Sequence, residues 1–467
     1  MIIKKIILFT FAVILLLSLC GAAAAAIEIN SEDDFKNEVR YWNSNLHLNE
    51  SYILNCDINM SNVTDFKPIG TLSNPFTGTF DGNNHTISNL AIATKSRNYT
   101  GLFGCADGAE LKNIALENVS IKELTHIGML LGFGENIIIE NCSASGFIDG
   151  SNNVGGLVGS VSGKISNSYT QGDVTGNNEV GGLVGSVFGT ASDISNSNAS
   201  GNVNGTDYIG GLVGSNSGDI TNCYATGNVK GLDYVGGLAG RMNGNISKCY
   251  AAGNVEGYEN VGGLVGTVFI FYDYLFAPEN ASKISNISDS HASGNVTGIN
   301  CTGGLVGRMY GNVSTSYASG NVMGSWDVGG LAGNFSGNIT GSYTTGNVKG
   351  DFYVGGLVGH YGGRLSKSYS SGNVMGIGDV GGLVGQIEAG IISNCQASGN
   401  VEGNRNVGGL IGIMRYDYHI VSSYAAGNVT GTENVGKHVG YVQHEGFFNA
   451  ITGYFSYSYY RFYHPYP

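Results

Sequence analysis

The residues best able to do chemistry in this chain are few and badly placed for catalysis. A zinc protease of the HExxH kind would need a histidine four positions after His444, but Phe448 stands there, behind Glu445. A glycoside hydrolase needs two carboxylates at a fixed separation. The acids Asp173, Asp207, Asp233, Asp327 and Asp379 are instead scattered, mostly in turn positions that Asn or Gly fills elsewhere. No G-x-S-x-G, P-loop or Rossmann fingerprint stands between a strand and a helix. Seven cysteines follow Cys20, with no CxxC among them, so neither a zinc site nor a dense disulfide framework is expected. The expectation is a protein without catalytic residues, metal or cofactor.

Two features point to binding. The first is an aromatic column, Tyr169, Tyr224, Tyr250, Tyr317, Tyr343, Tyr369 and Tyr424, with His291 in the same slot. It follows an inward residue by one position and should face outward. It either holds a glycan or partner protein, or is a stack that shields and stiffens one sheet. The second is an insertion between Gly266 and Ile287 that carries Phe269, Phe271, Tyr272, Tyr274 and Phe276. It either projects as a recognition loop or packs its aromatics on its own sheet. Eighteen N-x-S/T sequons add candidate glycosylation sites, among them Asn62, Asn84, Asn98, Asn245, Asn334, Asn338 and Asn428.

The elements that must carry these residues come from a repeat. VGGLVG or a near copy begins at Val154, Val180, Ile209, Val235, Val261, Thr302, Val328, Val354, Val380 and Val407, and six of the intervals are 26 residues. After each copy comes a stretch such as ISNSYTQGDVTG from Ile165. Each unit reads as three short strands joined by Gly, Asn and Ser. None can bury itself, so successive units must stack. The chain holds 77 Gly and only 12% charged residues, which suits such coils and not helices. The expected fold is an all-β, right-handed parallel β-helix of about 12–13 coils with a short N-terminal helical cap. Three inward columns follow: leucines from Leu157 to Leu410, mostly isoleucines from Ile165 to Ile392, and valines from Val174 to Val401. Asn113, Asn141, Asn167, Asn196, Asn222 and Asn394, with Asp289 and Gly341, should turn a left-handed corner. The next residue, Ser or Cys, should point inward. Cys223 and Cys249 fall there in adjacent coils, where a disulfide is open to them but buried free thiols are expected.

The ends differ. Lys4 and Lys5, an apolar run from Ile6 to Leu19, and Ala22 to Ala26 read as a signal peptide over 1–26. An N-terminal cap and lead-in strand should occupy 27–66, with a helix from Ser31 to about Trp42. The repeat body spans 67–440, and the aromatic segment 441–467 reads as a C-terminal cap or tail. No second hydrophobic segment is long enough for a transmembrane span. A net charge of −13 without a basic cluster argues against nucleic acid.

The GGLVG…GxISNSYAxGNVxG unit resembles the GLUG motif of bacterial and archaeal surface proteins. KPIGTLSNPFTGTFDGNNHTISNL, from Lys67, is similar to the segment that often precedes such repeats. The resemblance covers roughly 50–440. It implies an adhesin-like protein, secreted or held at the cell surface, whose partners are cell-surface glycans or other envelope proteins. The alternatives are a structural component of the envelope or biofilm, and a β-helix polysaccharide lyase or hydrolase.

Overall fold

The computed structural model describes residues 25–63, 66–93, 98–189, 191–268, 284–416 and 418–443. It is a β-solenoid of about 15 turns, with one short helix near the N-terminus. One coil shows the plan. Trp326–Gly329 lies in a 13-stranded sheet, and Ala332–Thr340 lies in a 22-stranded sheet on the next face. Tyr343–Thr344 and Val348–Lys349 form the third face before the chain rises to Phe352–Gly355. All three faces pair in parallel with equivalent residues of the next coil, as in Val328↔Val354, Ile339↔Leu365 and Val348↔Val374.

The three inward columns are buried. The ten leucines from Leu157 to Leu410 are fully covered, and the isoleucine and valine columns stay at 2% exposure or less. A fourth column, Met242, Val268, Met309, Phe335, Tyr361 and Ile387, also faces inward. Its changing residue types hid it from a pattern search. The motif glycines answer to space. A Cβ on Gly329 would lie 2.0 Å from the Ala332 carbonyl oxygen and 2.7 Å from the Gly359 nitrogen. The backbone folds back on itself there and also touches the next coil, so no side chain fits.

The corners use two kinds of ladder. The Asn corner is left-handed as expected, with φ from 49° to 60° across the eight expected residues. Lys248, Thr315 and Lys367 take the same conformation, so the coil imposes the corner even where the residue is ill suited. Asn222 donates to Asn196 across 2.7 Å from one coil to the next. The second ladder explains the N of GNV. Each side-chain oxygen accepts the backbone N–H of the equivalent residue one coil on, from Asp173–Asn202 to Asn400–Asn428, at 2.9–3.1 Å in every rung. Asn347→Ala removes the acceptor of the Asn373 N–H and should cost about 1 kcal/mol. Asn347→Asp keeps an acceptor and should cost less. Chemical denaturation of both variants checks the order, and equal losses would assign the rung no stabilising role.

The Ser and Cys slot points inward, as expected. Ser316 Oγ donates to the Ser314 carbonyl (2.7 Å) and accepts from the Ser290 N–H (3.2 Å). Cys249 Sγ replaces such a hydroxyl as acceptor for the Cys223 N–H, at 3.4 Å. Both thiols are free and buried, and their mutual hydrogen bond together with burial pushes Cys223 up.

The coil count exceeds expectation because residues without the motif also coil. The 13-stranded sheet starts at Asn98–Thr100 and matches the motif copies. Below it, Ile27–Ile29, Tyr52–Leu54 and Thr79–Asp81 already stack in parallel. Their core is aromatic: Tyr52, Phe76, Phe80 and Phe103 are almost fully buried. The helix, α1, spans Glu32–Asn43, and Ser31 caps it by accepting from the Asp34 N–H at 3.1 Å. Glu32, Asp33 and Asp34 stand at its positive end. It buries Phe35 and Trp42, with Trp42 edge-on to Tyr52.

Candidate functional site

The tyrosine column faces outward, and its rings stack on one another. Tyr224, Tyr250, His291, Tyr317, Tyr343 and Tyr369 form one continuous ladder with ring centroids 4.7–5.2 Å apart and planes within 10° of parallel. The coil rise sets this spacing, since strands in register lie about 4.8 Å apart. Most ring faces are therefore covered by neighbouring rings, and the ladder offers edges and hydroxyls along its length. Tyr169 and Tyr424 stand apart from it, paired with Asn198 and Gln396. Burial pushes the Tyr250 and Tyr369 hydroxyls up, and the neighbouring tyrosines add to the effect.

A second outward assembly lies at the corner between the 13-stranded and 22-stranded sheets, and the motif search passed over it. The residue before each VGG is left-handed there, and Asn fills it at 153, 260, 406 and 434. In three consecutive coils it is Asp327, Tyr353 and Asp379 instead, at φ 51°, 53° and 57°. The residue that follows LVG or LAG faces the same corner. It is Ser160, Ser186 and Ser215 in early coils but Asn334, His360 and Gln386 here.

These side chains form one network. His360 Nε2 lies 3.2 Å from Glu388 Oε1, and its Nδ1 lies 3.8 Å from Asp327 Oδ1. Asn334 donates to Asp327 (3.1 Å), Gln386 donates to Glu388 (2.7 Å), and Arg415 Nη1 is 3.7 Å from Glu388. Glu388 sits where the register shifts between Tyr361 and Gly363, so the coil with an extra residue swings it toward His360. Burial alone would lower the His360 pKa, but the hydrogen bond to Glu388 and the charge of Asp327 together raise it. The His360 hydrogen bond lowers Glu388 in turn. Beside the network, Trp326 stacks on Phe352 at 4.5 Å and touches Tyr353, whose ring lies 6.1 Å from His360.

The expected scatter of acids needs correction at one place. Asp207, Asp233 and Glu259 stand in register on three successive coils. Burial and the two flanking carboxylates push Asp233 up to about 6.

The model of the GLUG motif matches five segments: 176–204, 205–230, 257–297, 350–375 and 376–402. Each contains one VGGLVG, or IGGLVG in 205–230, and runs on to the next GNV, which is one coil of the structure. The chain is a GLUG-motif repeat protein. One GLUG motif is thus one turn of the solenoid, and its glycines and asparagine are the residues that close the turn and tie it to the next.

A stretch of 151 residues, 30% of this GLUG-motif chain, is 34% identical to halomucin of Haloquadratum walsbyi. That stretch is 2% of halomucin, so the chain spans a very small part of this relative. Among solved structures, a Bacteroides ovatus protein described as a "putative immunoglobulin A1 protease" aligns over 70% of this chain and 77% of its own. The identity is 21% and the TM-score 0.30, too low to support an argument.

Several sequence expectations fall on other parts of the GLUG-motif chain. Phe269, Phe271, Tyr272, Tyr274 and Phe276 lie outside the described residues, as do nearly all of the signal-peptide segment and the tail from 444. Asn62, Asn84, Asn98, Asn338 and Asn428 are exposed. The amide nitrogens of Asn245, Asn334 and Asn338, the atoms a glycan would bond to, are engaged with Asp219, Asp327 and Asn312.

Proposed function

We propose that this GLUG-motif protein is an exported, adhesin-like surface protein that binds through the outer side chains of its solenoid. One observation carries the reading. The inward columns, the motif glycines and the asparagine ladder hold the coils together, while the outward corner residues change type from coil to coil. Such a scaffold is free to vary its surface at little cost in stability. The likeness to halomucin supports a place outside the cell, and so does the reading of residues 1–26 as an export signal.

The ring-on-ring packing of the tyrosine ladder favours a second reading, a stiff structural element of the envelope. The in-register carboxylates Asp207, Asp233 and Glu259 favour a third, a glycan-cleaving enzyme. One experiment separates the three. The purified chain is applied to a printed glycan array and to intact cells, and released reducing ends are measured. Retention without release is expected. No retention on either surface would leave the structural reading, and release of reducing ends would establish the enzyme.

A further inference from the structure

Deepening that reading, on which the inference rests, the geometry points to the corner around Trp326, His360 and Gln386 as a carbohydrate-binding site. A sugar ring presents an apolar C–H face and, around its rim, hydroxyls that both donate and accept. The corner has a counterpart for each. Trp326 is 45% exposed and is held rigid by Phe352 and Tyr353, so it offers a preorganised apolar platform. Next to it stand planar groups able to make paired hydrogen bonds: Asn334, Gln386, Glu388 and Arg415.

Two of these groups are not satisfied by the protein. Gln386 is 2% exposed, yet its Oε1 has no hydrogen-bond partner. Arg415 Nε is likewise buried and unpartnered. A buried polar atom without a partner costs about 1–3 kcal/mol, so each calls for a hydrogen-bonding group that the protein itself does not supply.

Other ligands fit less well. The aromatic part is a small cluster of Trp326, Phe352 and Tyr353, far short of the core of a stable protein interface. Asp327, Asp379 and Glu388 repel polyanions. Among the described residues, no three His, Cys, Asp or Glu side chains converge to hold a metal ion. The site spans the coils from Trp326 to Arg415, so it suits an extended oligosaccharide more than a single sugar.

The test uses the full chain on a printed glycan array, followed by titration with the retained oligosaccharide. Trp326→Ala and Glu388→Gln should each weaken binding by roughly tenfold or more, as at an aromatic hot spot. Tyr258→Ala, which removes an equally exposed ring elsewhere (52%), should leave binding unchanged. Thermal melts of all three should match the parent, which separates lost contacts from lost folding. Glycan binding that survives both corner variants would overturn the inference and leave the binding reading intact. Attachment to cells with no glycan retained would also overturn it and point to a protein partner. Absence of both would remove the binding reading as well.

Discussion

Leu331→Asp should unfold the middle of the solenoid. Leu331 is fully buried, and its N–H and C=O pair with the leucines of the adjacent coils: it donates to Leu357 and accepts from Leu305. A carboxylate there has no cationic partner and no water. It either stays charged at a large desolvation cost or takes up a proton and remains a poor fit in an apolar slot. The loss should be about 3–5 kcal/mol, in the range seen when an uncompensated charge is left buried. The damage should spread, because each coil is stable only through its neighbours. Hydrogen exchange should show lost protection centred on coils 302–384, together with a lower melting temperature. A variant that melts like the parent would mean that the leucine column does not carry the core.

A glycine pair should give an equally sharp contrast. Gly329→Ala places a methyl 2.0 Å from the Ala332 oxygen and 2.7 Å from the Gly359 nitrogen. Both are backbone atoms fixed by inter-coil hydrogen bonds, so neither can give way without breaking the turn. Overpacking typically costs about 1–3 kcal/mol, and backbone clashes of this kind belong at the upper end or beyond. Gly362→Ala is the control. Its Cβ would meet only Ser336 Oγ, at 3.7 Å. That variant should be neutral within about 0.5 kcal/mol. Urea denaturation of both measures the gap, and equal stabilities would show that VGG glycines are there for turn flexibility and not for space.

Much of this architecture was legible in the sequence. A 26-residue period, β-branched residues at fixed offsets and Gly at the joints leave stacking as the way to close a core. From there, strand alternation places Leu331, Ile339 and Val348 inside and Tyr343 outside. It also places Ser342 inward, and Asn at the left-handed corner follows from backbone preference alone. Those are short-range rules, and repetition multiplies each one along the chain. What they do not reveal is how outward side chains meet. Tyr317 and Tyr343 carry the same signature whether their rings splay apart or stack, and only the coil rise, close to the thickness of packed rings, decides that they cover one another. The corner around His360 was less legible still. Asp327, His360 and Glu388 come from three coils, and they meet because a left-handed turn aims Asp327 across the corner and an extra residue displaces Glu388. A period in the sequence reports what every coil must share in order to stack. A site made from the departures of individual coils takes shape only once the stacking has brought those residues together.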